Sequence, residues 1–155
     1  MNKLCGGIIF ILLLVIAGLV YKFMLEGSVE QGSDGRASIQ LTASEKDLVL
    51  SEMRSFLNSI QQIIDGVNKN DMTQVETAAR RVGQAAQEAV PGTLMGKLPI
   101  AFKQLGFDTH AKFDQLALDA SQFGDRGQAL EQLAILMQNC VACHAGHRID
   151  VVEGS

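Results

Sequence analysis

Eighteen consecutive residues, Leu4 to Tyr21 (LCGGIIFILLLVIAGLVY), carry no charge, and Phe23, Met24 and Leu25 extend the apolar run past Lys22. At about 1.5 Å rise per residue, a helix of this length matches the hydrocarbon core of a bilayer. Residues 1–25 are therefore expected to be an N-terminal membrane anchor or a signal segment. Val15 and Ala17 form a weak small-residue cleavage site, but cutting there leaves the apolar stub Gly18 to Leu25, which favours the uncleaved anchor. Lys3 and Lys22 flank the run almost symmetrically, so charge alone does not orient it. Cys5 reads as a small apolar residue within the membrane helix.

Residues 26–40 (EGSVEQGSDGRASIQ) are rich in Gly, Ser and charge and show no apolar period. They are expected to be a flexible tether with a reach of roughly 20 Å. The formal charge is -4, and the tether and anchor contribute none of it net, which argues against a phosphate-backbone-binding surface and hence against nucleic acid as a partner.

Residues 41–155 are expected to form one helical domain. Only 5% of the chain is aromatic and Pro occurs twice, while Ala, Leu and Gln recur, a composition that favours helices over strands. Thr42 with Glu45, or Ser44 with Asp47, starts a first helix of about 23 residues, whose apolar face runs through Val49, Met53, Phe56, Ile60 and Val67 to a stop at Asn68–Asn70. Asp71 caps a second helix, expected to continue through Val75, Ala79, Val82 and Ala86 to Val90-Pro91-Gly92. Thr93 to Leu98 is expected to be a loop. A third helix starts at Pro99, with Gly106 as a bend, and ends before Gly124; Asp125 caps the fourth. Short connections between amphipathic helices predict an all-α, antiparallel four-helix bundle.

The chemistry is concentrated in Cys140-Val141-Ala142-Cys143-His144, a C-x-x-C-H sequence, the signature of c-type haem attachment. Two cysteines three apart on a helix point the same way, so both thiols can add to the two vinyl groups on one porphyrin edge. His144 follows at once and reaches under the iron. A zinc site fits poorly, because one straight helix cannot wrap Cys140, Cys143, His144 and His147 around an ion tetrahedrally. A thioredoxin-like motif belongs after a strand, not near the end of a helix. One covalent haem c is the expected cofactor, carried on the C-terminal helix.

NCVACHAGHR near the end of a predicted four-helix bundle resembles the class II cytochromes c, the cytochrome c′ family, over roughly Ser44 to Ile149. The resemblance implies that Arg148, four residues after the haem-ligand His, acts electrostatically near the proximal imidazole and the propionates. It also implies a distal residue on the first helix, apolar in high-spin members and a ligating Met in low-spin ones. Met53 stands in that region, as a sixth iron ligand or as core packing; Met72, Met95 and Met137 are poorer candidates. Where the family often has Tyr, this chain has His147. His110 reads as a surface or hydrogen-bonded interior histidine.

The expected function is a membrane-tethered monohaem electron carrier, held in the bacterial cytoplasmic membrane by one helix with its haem domain in the periplasm, or soluble there after cleavage. Its partners would be membrane oxidoreductases, and a homodimer is compatible with the resemblance. The alternatives are a high-spin protein that binds nitric oxide or carbon monoxide, and a haem subunit of a membrane redox complex. No convergent pair of carboxylates suggests acid-base catalysis, so an enzyme is not expected.

Overall fold

The computed structural model describes residues 3–152. Among these the chain is mostly helical, with six α-helices and a small three-stranded sheet. Helix α1 (Lys3–Val20) runs into a π-helical turn (Tyr21–Glu26), and none of Cys5–Glu26 is buried. The span has the length and composition of a membrane helix or a signal sequence. The turn ends at Gly27, whose φ is +71° and where a Cβ would lie 2.4 Å from the Lys97 carbonyl oxygen. Only glycine lets the chain pass there.

The expected tether is instead a β-hairpin. Strand β1 (Val29–Gln31) pairs antiparallel with β2 (Ala37–Leu41), and β2 pairs parallel with β3 (His147–Val151), placing Ser38 beside Arg148 and Ile39 beside Ile149. The turn is built by Asp34-Gly35. The Asp34 carboxylate accepts from the Arg36 backbone N–H at 3.1 Å and from its guanidinium at 2.7 Å, while Gly35 takes φ +85°. Behind it the short alternation Ala37, Ile39, Leu41 sends Ile39 and Leu41 fully inward. Buried Ser38, Ile39 and Leu41, with strand pairing on both sides of β2, order a segment whose composition reads as flexible.

Helix α2 (Ala43–Lys69) starts on the expected capping box: Thr42 Oγ1 accepts from Glu45 N at 3.3 Å and Glu45 Oε2 accepts from Thr42 N at 2.9 Å. It stops at Asn70, which adopts the left-handed conformation. Asp71 caps α3 (Met72–Arg80), accepting from Gln74 N. This helix is half the expected length. At Gly83 a Cβ would meet the Asp114 carboxylate at 1.9 Å, and that carboxylate accepts the N–H of Gln84 at 2.9 Å, so a group on another helix caps the break. A 3-10 turn (Gln84–Ala89) and the short α4 (Gly92–Lys97) follow, the latter where a loop was expected. Buried Leu94 draws it inward. Helix α5 (Ile100–Phe123) continues unbroken through Gly106, tolerating a propensity cost of about 1 kcal/mol. Helix α6 (Arg126–Gly146) begins on the Asp125 cap.

Helix α3 packs between α2 and α5, and α6 packs on α5 and α2. Ile63, Val67, Val75, Phe113, Leu116 and Leu136 fill the interior, and Ala78, Ala79 and Ala117 let the backbones approach. At the other end, around the first turns of α2 and α5, a second cluster of Ile39, Leu41, Val49, Leu94 and Leu98 joins the sheet and α4 to the helices. The last turn of α6 is brought to this end by β3.

Candidate functional site

Cys140, Cys143 and His144 occupy the last two turns of α6. Both thiols are half-buried and unbridged, His144 is exposed, and the intervening Val141 is 70% exposed. The i, i+3, i+4 spacing puts the three groups on one face. Burial raises both thiol pKa values, that of Cys143 to about 11 with a further push from neighbouring Cys140, so both stand as neutral thiols at neutral pH.

Cys143 and His144, but not Cys140, line a cavity of about 180 Å³ together with Leu50 and Met53 of α2. Met53 is half-buried and packs against the Ile39–Leu98 cluster. The structure therefore brings the candidate sixth ligand into the same cavity wall as the candidate proximal one. Met72 packs against the Phe113 core, Met95 lies with the Ile39 cluster, and Met137 is exposed on α6; none of the three lines this cavity.

Helix α6 ends at Gly146, so Arg148 is not one helical turn beyond His144 but the second residue of β3. Its guanidinium donates to Asp150 Oδ1 at 2.8 Å and lies 3.5 Å from Asp34 Oδ2. The Asp150 bond keeps its pKa above the ordinary value. It lines the cavity as a member of an ion-pair network rather than as a free cation.

Three further wall residues were not singled out from the sequence: Arg36, Lys46 and Phe102. Arg36 Nη1 donates to the carbonyls of His144 at 3.2 Å and His147 at 3.3 Å, tying the hairpin to the end of α6. The Phe102 ring meets His147 edge-on at 5.6 Å, and His147 Nδ1–H donates to the Cys143 carbonyl at 3.3 Å. These contacts fix the helix exit directly after the C-x-x-C-H turn.

His110 is fully interior. Its Nδ1–H donates to the Val82 carbonyl at 2.8 Å, its Nε2 lies 3.2 Å from Glu52 Oε1, and its ring packs on Phe56. Among the described residues no group of three or more His, Cys, Asp or Glu side chains is arranged to hold a bare metal ion.

The residue types suit a covalently attached haem: two free thiols and an exposed imidazole on one helical face, and a thioether and basic side chains among the residues that line the cavity with Cys143 and His144. The enclosed volume is smaller than the roughly 300–1,000 Å³ usual for ligand cavities, so a macrocycle seated here stands partly outside it or parts its walls. No protein-family model, curated protein or solved structure matches this chain.

Proposed function

We propose that this protein is a monohaem c-type cytochrome that carries electrons at a membrane, with α2, α3, α5 and α6 forming an antiparallel bundle of cytochrome c′ type. The observation that carries the reading is that Cys143 and His144 of the C-x-x-C-H turn line one cavity with Met53 of α2. Haem bound there supplies one-electron Fe(III)/Fe(II) cycling. Cys140 and Cys143 would hold it through thioether bonds, His144 would supply a nitrogen ligand and Met53 a sulfur ligand, and Arg36, Lys46 and Arg148 would bring positive charge to its propionates. The apolar N-terminal helix is read as a single-pass anchor in the bacterial cytoplasmic membrane with the rest in the periplasm, where haem c is attached. Tethering confines the carrier to the plane of its redox partners, which are membrane oxidoreductases or other members of one complex, and raises its effective concentration there.

A second reading has its own observation. Met53 is already engaged in apolar packing with the Ile39–Leu98 cluster, so an iron with no sixth protein ligand, open to nitric oxide or carbon monoxide, is the alternative.

The test is the optical spectrum of the full chain, produced with a haem-attachment system, oxidised and reduced, beside the Met53→Ala variant. An iron–thioether charge-transfer band that disappears in the variant establishes His144/Met53 ligation and the electron carrier. A high-spin spectrum indifferent to the substitution moves the assignment to gas binding. No covalent haem on the wild-type chain, or covalent haem that survives in Cys140→Ala/Cys143→Ala, overturns both.

A further inference from the structure

The apolar N-terminal helix does not hang from the rest of the chain by a loose linker. Lys103, in the first turn of α5, donates to the carbonyls of Met24 at 3.2 Å and Phe23 at 3.4 Å, closing the free end of the π-helical turn. The Phe23 ring comes within 3.6 Å of the point a Cβ on Gly96 of α4 would occupy. Gly27 passes so close to the backbone that follows α4 that its Cβ would stand 2.8 Å from the Leu98 carbonyl carbon and the Pro99 nitrogen. The next residue, Ser28, donates its N–H to the Lys97 carbonyl at 2.7 Å. Contacts from α4 and α5 thus fix the direction in which the helical body leaves the end of α1. A domain on a flexible tether has no preferred side toward a bilayer, whereas this one has.

Two lengths place that side. Cys5–Glu26 has 22 residues, roughly 33 Å at helical rise, close to the thickness of the hydrocarbon core. Read as a span, its last turn, which holds Tyr21 and Phe23, lies where acyl chains meet headgroups. Lys103 touches that turn directly. Ile100 stands three residues before Lys103 and Phe107 four after it, on the same face of α5 and within about 6 Å of its level. The headgroup layer on each side of a bilayer is about 5–8 Å deep, so both side chains fall within it.

What this face presents is apolar. Ile100 is 37% exposed and Phe107 46%. Phe107 also stands at the mouth of a cavity of about 380 Å³ between α2 and α5, where Leu48 of α2, 43% exposed, joins it; Phe102 borders this cavity and the one at Cys143. Lys103 lies between Ile100 and Phe107 with its stem along the apolar surface and its amino group on the main-chain carbonyls, as long basic side chains do at a membrane interface. We propose that Ile100, Phe107 and Leu48 form a second membrane contact, seated at the headgroup–acyl boundary of the bilayer that α1 spans, so that the domain lies on the lipid instead of swinging above it. The occupant is lipid because the patch is continuous with the exit of the helix: a partner protein or a second copy would have to displace headgroups to reach it. The proposal rests on reading α1 as an anchor and is independent of haem attachment.

The chain contains no Trp, so one introduced indole reports one position. The experiment places the full chain, as Phe107→Trp, Leu48→Trp or Leu14→Trp, in phosphatidylcholine vesicles with and without lipid brominated near the headgroup end of its acyl chains, and then adds acrylamide to the water. Each variant is compared with itself, so a bound haem does not bias the ratio. Phe107→Trp and Leu48→Trp should each lose about half their emission to the brominated lipid and respond little to acrylamide, as should Leu14→Trp in the middle of the span. Leu48→Trp keeps the test decisive should Phe107→Trp fail to fold. Bromine quenching at Leu14→Trp alone leaves the anchor standing and overturns the proposal: acrylamide quenching at the other two positions then shows an open surface, and its absence shows a protein or a second copy on the patch. No bromine quenching at Leu14→Trp overturns the anchor reading, and the proposal with it.

Discussion

The two ends of the helical body are built differently. At the end where α2 meets α3, Ile63, Val75, Phe113, Leu116 and Leu136 are sealed from solvent, and Phe113 stacks on Phe56 at 5.5 Å. At the end where α2 and α5 begin, strands, a 3-10 turn and a short helix replace the second half of α3, two cavities open, and every candidate site residue is found. Regular helix-on-helix packing uses up the volume between elements. Replacing part of one helix by an irregular excursion leaves volume, and it brings loop and strand residues beside the C-x-x-C-H turn. Stability and chemistry are thus drawn from different stretches of the same helices, and each can be tested against the other.

The largest contrast should come from two phenylalanines on α5. Phe113→Ala leaves a void in the sealed end and should cost about 3–5 kcal/mol, whereas Phe102→Ala, in a half-buried side chain already bordering two cavities, should cost roughly 1–2 kcal/mol. Urea unfolding of the full chain in detergent gives both values, and equal losses would erase the distinction between the ends. Next in size is Gly27→Ala. The positive φ and the 2.4 Å approach to the Lys97 carbonyl should cost about 1–3 kcal/mol, felt only at the cavity end. Hydrogen exchange should then quicken at Ser28 N–H, which donates to Lys97 O at 2.7 Å, and stay unchanged in the middle of α5 around Phe113.

Glu45 probes the same end with charge. It closes the cap of α2 and binds Lys97 of α4 through both oxygens at 2.7 Å, so Glu45→Ala should cost roughly 1–2 kcal/mol. The Lys97 hydrogen bond, with those from Thr42, holds its carboxyl below the ordinary value against the effect of burial. A lowered folded pKa contributes stability that is complete above about pH 4.5 and lost as pH falls through the folded value. The wild-type and Glu45→Ala unfolding midpoints should therefore converge in acid.

What could be seen in the sequence follows the same division. Caps and stops at Thr42, Asn70, Asp71, Asp125 and Gly124 are local signals and appear where expected. The Cys140–His144 motif is local too, whereas Met53 was singled out through the family resemblance, apolar spacing giving only its place on the first helix. The features that were not foreseen depend on distant residues. Arg36 reaches the His144 carbonyl across 108 positions, Arg148 joins a strand only because Ser38 lies beside it, and α3 breaks because Asp114 caps Gln84 from another helix. The Asp34-Gly35 turn was a usable hairpin signal, masked by the glycine and serine around it.

The smallest predicted effect separates the ends by pH. Burial alone would lower the His110 pKa, but the hydrogen bond to Glu52 and those to the carbonyls of Val82 and Gly83 outweigh it, and the net direction is upward from 6.5. Both ring nitrogens face acceptors, so the charged imidazolium suits the site better than either neutral tautomer, one of whose nitrogens would have no proton to give. A raised folded pKa adds stability that is fully present below about pH 6.5 and is lost as pH rises through the folded value. Because Glu52 is a third exposed, the carboxylate's share is discounted for solvent, and Glu52→Gln should destabilise by roughly 1 kcal/mol or less at pH 5.5 and by almost nothing at pH 8.5. Phe113→Ala removes no titrating group, so its larger loss should be the same at both pH values. A Glu52→Gln penalty that does not shrink as pH rises would show that Glu52 stabilises the cavity end without the His110 charge.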